Sequence, residues 1–552
     1  MRRRILALGA AVVCSWTAEG QQGHQHKLSE EEVGSVHFLT TCSAGMSDAA
    51  RQEFDRSFNR AVALLHSFQY EATRAAFEAI AQKNPQCAMA EWGVAMSHYH
   101  GLWRSGDVAA GRTAILKAKE IANANATTSA REKAYIDALA EVYEEGKTDY
   151  MARGAAFEKK MGEVAAAYPS DAEAQIFHAL SLKVAASPLD KTFLNEKKCG
   201  EILGPIFKEQ PHHPGVAHYI IHCYDNPMLA DEGLDAARLY AKIAPVSAHA
   251  NHMPSHIFTR VGSWEESIAS NIKSAEIATA DEKKSKNGEA RDQRLHAMDY
   301  LEYAYLQTGQ VKQAKAIVDE LGRLSAVDGQ TLTGEYATAA IPSRYAIELK
   351  DWDRASKLEP MARGVAWAQA LVWEAIGEGS AKSGKLERAG VAEKKLTELR
   401  DEAAKRNEYW SKQIEVQRLE VSAWMADESG KRDEAMTTLR AAVKLEESMD
   451  KDAVTPGAVT PAREMLAGML MARGKDQEAL AEYETVLRVA PNRFNALYDA
   501  AVAANRSGND AAAMKYFREL TTVATSDERA EVKTAKAKLA EMAQAPSARS
   551  DK

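Results

Sequence analysis

Residues of the kinds that bind metal ions recur at helical spacing between positions 211 and 303. Three trios occur there, and each spacing brings its members to one face of a helix. The trios are His218, His222 and Asp225; His249, His252 and His256; and His296, Asp299 and Tyr303. Three successive helices are therefore predicted to present rows of potential metal ligands to one another.

Transition-metal sites need neutral imidazoles that converge from several backbone positions, with carboxylates to balance charge. The predicted ligands are His218, His222, His249, His252 and His256, with Asp225, His296 and Asp299 as further ligands or as groups that orient them. Copper and zinc suit imidazole, and iron suits a site that includes a carboxylate, so the metal is left open among these three. The alternative is that these histidines satisfy polar contacts inside a large helical protein.

The histidines are also distributed unevenly along the chain. All 15 of them lie at or before His296. The pairs His98/His100 and His212/His213 and the single residue His66 lie outside the three trios. This asymmetry indicates that histidine serves a purpose in the N-terminal half.

Helices must position these residues, because the composition favours an all-α protein. Alanine is abundant, proline is scarce after position 261, and β-branched runs are missing. A chain of 552 residues is too long for one ordinary core, so several domains or a repeat array are expected. The net charge of −8 is spread over interspersed acidic and basic residues, so we expect no nucleic-acid partner.

The segment ARGKDQEALAEYETVLRVAP, with Gly474, Ala479, Tyr483 and Pro491, resembles the second helix of a tetratricopeptide (TPR) repeat. Related segments begin at positions 69, 261, 307, 429 and 506. At least six copies predict a TPR-like helical-repeat solenoid, a superhelix of helix pairs with a concave groove. The segments WGVAMSHYHGLW and HANHMPSHIFTRVGSW also look like those of exported bacterial TPR proteins of unassigned activity.

The resemblance implies that the first helix of each pair, helix A, lines the groove with its second, fifth and ninth positions. Counted back from the turn glycine Gly262, His249, His252 and His256 take these positions. Arg344 takes the ninth position of a later repeat, and we predict that Arg344 and Tyr303 orient an anionic or carbonyl substrate. The groove is predicted to become acidic toward the C-terminus, where Glu374, Glu420 and Glu464 each take position five.

Pro254 leaves two alternatives for the helix that carries the second trio. A proline inside a helix removes a backbone donor and clashes with the preceding turn. Either this helix kinks at Pro254 or it begins there, which would leave His249 and His252 in the preceding connection.

The N-terminus has the pattern of a signal peptide over residues 1–20, so we expect a periplasmic or secreted protein without a transmembrane segment. A lipid anchor at Cys14 is the alternative. Four cysteines follow, and their local pairings are Cys42–Cys87 and Cys199–Cys223, out of three pairings in all. The rival interpretation of Cys223 is that it binds metal beside His222.

The predicted organisation follows from these patterns. It comprises a signal peptide (1–20), a polar linker (21–46), N-terminal helical repeats (47–210), central repeats with the histidine-rich site (211–355), C-terminal TPR repeats (356–545) and a disordered tail (546–552). Two functions remain open: an exported metal-binding solenoid, with a metalloenzyme as its more specific form, and a metal-free scaffold that holds a peptide or partner protein in its groove. A metal-free histidine acid–base site is a third hypothesis. The sequence assigns no catalytic residue.

Overall fold

The computed structural model describes residues 29–146, 149–284, 288–324, 332–452 and 454–544. The predicted signal peptide, Cys14 and the tail at 546–552 lie outside these residues. The described chain is helical almost throughout, as the composition predicts, and a short antiparallel pair of strands, β1 (Tyr99–His100) and β2 (Ser105–Gly106), interrupts it. None of the helices in the described ranges is long and apolar enough to cross a membrane.

The helices follow one another in antiparallel pairs. The N-terminal helices are α1 (Glu30–Val33), α2 (Asp48–His66), α3 (Tyr70–Lys83), α4 (Ala88–Ser97), α5 (Val108–Ala124), α6 (Ala130–Ala140), α7 (Tyr150–Ala167), α8 (Ala172–Ala185) and α9 (Leu194–Glu209). The central helices are α10 (Pro214–Tyr224), α11 (Leu234–Ile243), α12 (Ala248–His252), α13 (Pro254–Arg260), α14 (Trp264–Glu282), α15 (Glu289–Gln307), α16 (Val311–Leu321), α17 (Leu332–Glu348) and α18 (Trp352–Ser356). The C-terminal helices are α19 (Ala366–Lys382), α20 (Leu386–Ala404), α21 (Glu408–Glu428), α22 (Arg432–Glu446), α23 (Ala462–Ala472), α24 (Asp476–Val489), α25 (Phe494–Arg506), α26 (Asp510–Val523) and α27 (Ala530–Gln544).

A glycine in the left-handed region separates the two helices of most central and C-terminal pairs. These glycines have φ between 69° and 80°: Gly262, Gly309, Gly384, Gly430, Gly474 and Gly508. Glycine adopts this conformation without the steric cost of a Cβ, so it ends the first helix and reverses the chain. The turns that set the repeat register in the sequence are therefore equivalent in the structure, which confirms the helical-repeat solenoid.

Small residues let the two helices of each pair pack closely. Five positions after each turn glycine except Gly262 stands a fully buried alanine in the second helix: Ala314, Ala389, Ala435, Ala479 and Ala513. Ala355 stands five positions after Lys350, which also has a positive φ, and buried Ser267 takes this position after Gly262. A larger side chain here would push the helices apart or force off-rotamer packing. The small residue at this position thus keeps the spacing between the first and second helix similar from one repeat to the next.

The array curves until its C-terminal repeats contact its central repeats. The indole Nε1 of Trp264 donates to the carbonyl oxygen of Asn492 at 2.9 Å. A Cβ added to Gly262 would lie only 2.3 Å from the carbonyl oxygen of Pro491, so the two backbones are packed closely. The concave surface of the central repeats is therefore enclosed by the C-terminal repeats.

The helix that carries the second histidine trio is broken at Met253. α12 ends at His252 and α13 begins at Pro254, while Met253 between them keeps helical angles, φ −52° and ψ −36°. Proline is tolerated at the first position of a helix because the missing donor has no intrahelical partner there. The break is thus a kink that preserves the direction of the chain, so His249 and His252 stay on a helix. Pro342, by contrast, lies inside α17.

An insert loop at 447–461, between α22 and α23, lies over the concave surface of the central repeats; Ala453 within it is not described. Lys451 Nζ donates to Asp225 Oδ2 at 2.6 Å. The backbone N–H of Asp450 donates to the Pro188 carbonyl oxygen at 2.8 Å. The carbonyl oxygen of Thr455 accepts from the Tyr300 hydroxyl at 2.9 Å. These contacts place the insert loop directly above the histidine-rich helices.

The cysteines pair locally, as predicted. Disulfides join Cys42 to Cys87 and Cys199 to Cys223. Cys223 is therefore committed to a disulfide rather than available as a metal ligand. Phe38, in the stretch expected to be a polar linker, is buried 5.6 Å from the Phe58 ring, so this part of the chain packs onto the first repeat.

Candidate metal centre

Six buried histidines gather where α10, α12, α13 and α15 meet, and they form two adjacent trios. The ligand atoms within each trio lie within 4.8 Å of one another. The first trio is His218, His222 and His249, and the second trio is His252, His256 and His296. The sequence grouped these residues by helix, whereas the structure combines neighbouring helices in each trio.

The two trios are continuous with each other. The ring centroids of His222 and His256 are 6.1 Å apart, and those of His249 and His252 are 6.5 Å apart. All six residues are at most 4% exposed, and the insert loop lies above them. The cluster can therefore hold one ion in each trio, close to each other and shielded from solvent.

Hydrogen bonds at Nδ1 fix the tautomers of three imidazoles. His218 Nδ1 lies 2.6 Å from the carbonyl oxygen of His66, which can only accept. His252 Nδ1 lies 2.7 Å from Asn271 Oδ1, and the amide orientation of Asn271 is set because its Nδ2 donates to the Ser267 carbonyl oxygen. In neutral rings these contacts place the proton on Nδ1, which leaves each Nε2 with a free lone pair.

The third fixed imidazole is His256. Its Nδ1 donates to Asp225 Oδ2 at 2.9 Å, so its Nε2 is also an acceptor in the neutral ring. Histidines that bind metals typically donate their other nitrogen to a carboxylate or carbonyl in this way, which orients the ring and makes the ligand more basic. His249 follows the same pattern, with Nδ1 3.3 Å from Gln293 Oε1.

The free nitrogens face one another inside each trio. His252 Nε2 lies 3.0 Å from His256 Nε2, and His249 Nε2 lies 3.0 Å from His218 Nε2. Two neutral nitrogens with no proton between them repel at this distance. Two imidazole nitrogens on one tetrahedral zinc ion stand about 3.3 Å apart. The spacing therefore suits a cation bound between them.

Burial argues against a proton in that position. It lowers the pKa of all six imidazoles, and neighbouring histidines lower it further for all but His256, where Asp225 opposes the shift. The rings are therefore neutral near pH 7, which is the form that binds metal. In addition, within the described part of the chain, neither ring nitrogen of His222 has a hydrogen-bond partner, nor does Nδ1 of His296. Such unsatisfied buried groups are costly unless another partner is bound.

Asp225 joins the second trio to the insert loop. Although burial opposes its ionisation, Lys451, Arg260 and His256 hold its pKa well below the usual range. Arg260 Nε donates to Asp225 Oδ1 at 2.9 Å and Lys451 Nζ to Oδ2 at 2.6 Å. With both oxygens engaged, Asp225 is placed as the group that orients His256. Sequence reasoning gave no signal for Lys451, which lies 226 residues away from Asp225.

The other predicted residues form a separate ion-pair network beside the trios. Arg344, completely buried, donates from Nη1 to Asp299 Oδ1 at 2.6 Å and to Glu302 Oε2 at 3.1 Å. The Arg344 guanidinium carbon lies 5.1 Å from the Tyr303 ring centroid, and the Tyr303 hydroxyl accepts from Arg493. The structure thus places Asp299 against Arg344 and outside the two trios.

A third group of potential ligands is satisfied by hydrogen bonds. His66 Nε2 and His213 Nε2 lie 3.0 Å and 2.9 Å from the two carboxylate oxygens of Glu173. His66 Nδ1 also lies 2.9 Å from the Tyr219 hydroxyl, and the Val216 N–H donates to His213 Nδ1. Every ring nitrogen here has a partner, so this group holds helices together and fixes the carbonyl that orients His218.

Comparisons with known proteins yield distant structural likenesses. The chain is similar to yeast Tom70 (12% identity, 74% of this chain and 96% of that chain, TM-score 0.29) and to the human IFIT1 dimer with m7Gppp-AAAA (11%, 80% and 90%, TM-score 0.35). It is also similar to the TPR domain of P58(IPK) (16%, 69% and 100%, TM-score 0.23). No family model matches the chain, and no curated protein matches it significantly in sequence. The helix pairs and their turns are accordingly what identifies the TPR-like solenoid.

Proposed function

We propose that this protein binds transition-metal ions in two adjacent three-histidine sites inside its helical-repeat solenoid. The facing Nε2 atoms of His252 and His256 carry this proposal. Each ring has its proton committed at Nδ1, to Asn271 and Asp225 respectively, so the two lone pairs meet at 3.0 Å. A metal ion between them replaces this repulsion with two bonds.

The donor set favours zinc or copper over iron. Each trio offers three neutral imidazoles, which suit both ions. Iron sites of comparable openness add a carboxylate, but both oxygens of Asp225 are engaged by Arg260 and Lys451, and Asp299 pairs through Oδ1 with Arg344 outside the two trios. Zinc and copper are therefore the ions that we expect to copurify with the protein.

Three protein ligands leave a coordination position for water or substrate, as in catalytic zinc sites. Structural zinc sites are instead closed by four protein ligands. A bound ion supplies Lewis acidity or an activated water at such an open position. We therefore propose metal-assisted chemistry on a small molecule as the activity class. The histidines bind the ion, while Asp225, Asn271 and Gln293 orient His256, His252 and His249 respectively.

Elemental analysis of protein purified without a histidine tag tests this proposal. We expect about two equivalents of zinc or copper in the wild type, and a reduced content in a His252→Ala/His256→Ala variant that keeps its helical circular dichroism. The matched control is His98→Ala/His178→Ala, which removes two histidines outside the trios and should retain the metal. Metal-free wild-type protein, even after reconstitution, would rule out the proposal.

A metal-free scaffold that holds a peptide in its groove is the competing function. In an open TPR groove a peptide contacts the first helices directly. Here Asp450 and Lys451 of the insert loop occupy that position, bonded to Arg260 and Asp225. A peptide would have to displace the loop and break these buried ion pairs, so the scaffold is the less favoured function for the central repeats.

A further inference from the structure

A second candidate site is lined by the insert loop and by none of the six histidines. It is a cavity of about 460 Å³ between the central and C-terminal repeats. Its aromatic wall includes Trp367 on α19 and Trp410 on α21, whose rings lie 4.9 Å apart at an angle of 26°. Tyr336 extends this wall, with its ring 6.1 Å from that of Trp367. A concave pocket of this size with aromatic walls is typical of a small-molecule site.

The lining of the cavity changes from aromatic to acidic along α19 and α21, which are each the first helix of a repeat. Trp367, Leu371 and Glu374 line it at i, i+4 and i+7 of α19. On α21, Trp410 lines its aromatic end and Glu420 its acidic end. With 1.5 Å of rise per residue, the aromatic and acidic ends are about 10 Å apart along α19 and about 15 Å apart along α21. The cavity therefore suits an elongated ligand with one apolar end and one polar end.

At the acidic end, no cation among the described residues forms an ion pair with Glu374 or Glu420. Glu374 and Glu420 are 4% and 1% exposed, and Glu420 Oε1 has no hydrogen-bond partner in the described chain. Glu446 lines the same end. Burial raises the pKa of Glu374 to about 8 and that of Glu446 to about 7, because charged carboxylates are poorly solvated there and repel one another.

The cations that line the cavity are engaged elsewhere. Arg260 pairs with Asp225 and Asp450, and Lys451 pairs with Asp225. Lys191 donates to the carbonyl oxygen of Met449, and Arg463 pairs with Glu447 and Glu482. Lys382, one helical turn beyond Glu378 on α19, is the cation that acts on the Glu378 carboxylate. Glu374 and Glu420 therefore have no cation of the described chain beside them, and an ammonium group bound there would stabilise their ionised form.

We propose that this cavity binds an elongated organic cation, with an ammonium group beside Glu374 and Glu420 and an apolar body against Trp367 and Trp410. Carboxylates bind an ammonium through charge-assisted hydrogen bonds, and the tryptophan rings offer a large apolar surface to the body of the ligand. The proposal rests on cavity shape and uncompensated acids, and it is independent of metal in the histidine trios.

Calorimetric titration of the full chain with three probes of one shape tests this site. The probes are 4-phenylbutylamine, 4-phenylbutanol and 4-phenylbutanoate, which are cationic, neutral and anionic. We expect the amine to bind at least about tenfold more tightly than the alcohol, in line with one charge-assisted contact, and the anion to bind most weakly. Quenching of tryptophan fluorescence should accompany amine binding, because Trp367 and Trp410 line the cavity.

Substitutions then locate the binding. Glu420→Gln should remove the preference for the amine while the variant stays folded, because a neutral side chain is tolerated where burial already disfavours the charge. Glu428→Gln, an exposed residue two turns further along α21, is the matched control and should bind like the wild type. Equal affinity for the three probes, no binding of any probe, or an unchanged preference in Glu420→Gln would each overturn the proposal. Repeating the titration on chelator-treated protein separates this site from the metal centre.

Discussion

Substitution of Asn271 by leucine tests whether the hydrogen bonds around the histidines serve metal binding. Asn271 Oδ1 accepts from His252 Nδ1 at 2.7 Å, and the Asn271 side chain is fully buried. Without this acceptor the ring loses its fixed orientation, and the tautomer with a proton on Nε2, which cannot bind metal, becomes accessible. Loss of such an orienting partner typically weakens metal affinity by about 10- to 100-fold, or about 1.4–2.7 kcal/mol.

The assay is competition for Zn²⁺ between the protein and a chromophoric chelator, with thermal unfolding of the metal-free form measured alongside. The Asn271→Asp variant retains an acceptor at the same position and should recover most of the affinity. Asn495→Leu removes another buried asparagine, one that bonds Glu348 and Arg529, and should leave zinc affinity unchanged. An affinity in folded Asn271→Leu within about twofold of the wild type would refute the role of Asn271 as an orienting group.

Three further outcomes are expected. In urea titrations, Gly262→Ala should lower the free energy of unfolding by more than Gly474→Ala. Both glycines have a positive φ, but only a Cβ at Gly262 would clash with backbone atoms. Equal losses would contradict the close packing of the C-terminal repeats against Gly262. Removal of the Cys199–Cys223 disulfide, which spans 24 residues, should lower the free energy of unfolding by about 3.5 kcal/mol. A thiol assay on the unfolded wild type should detect no free thiol from either of these two cysteines. The free energy of unfolding should fall as pH rises from about 5 to 8, because buried Glu374 has a pKa of about 8 and keeps a proton that the unfolded chain loses. Glu374→Gln should flatten this pH dependence. An unchanged slope in the variant would contradict the raised pKa of Glu374.

The positions of the histidines could be predicted from the sequence because a repeat supplies its own register. The turn at Gly262 and the spacing within α12 and α13 placed His249, His252 and His256 on one groove-facing side, and the kink at Pro254 does not disturb this. Local spacing also predicted the disulfides. Helical periodicity and turn chemistry are short-range signals, so one sequence suffices to read them.

The partners of the site could not be predicted, since they come from distant parts of the chain. Lys451 reaches Asp225 from the insert loop, and Arg493 reaches Tyr303 across 190 residues. Such contacts depend on how far the superhelix curves, which is the sum of small rotations between repeats. The sequence likewise assigned acidic residues to the C-terminal groove without indicating that Glu374 and Glu420 face an aromatic wall.

Anomalous diffraction at a metal absorption edge, on crystals of protein loaded with zinc or copper, is the most direct test of the metal centre. We expect two peaks, one among His218, His222 and His249 and one among His252, His256 and His296, each about 2.0–2.1 Å from the ligating Nε2 atoms. Absence of a peak at the trios, or a peak at His66 and Glu173 instead, would contradict metal binding by these six histidines.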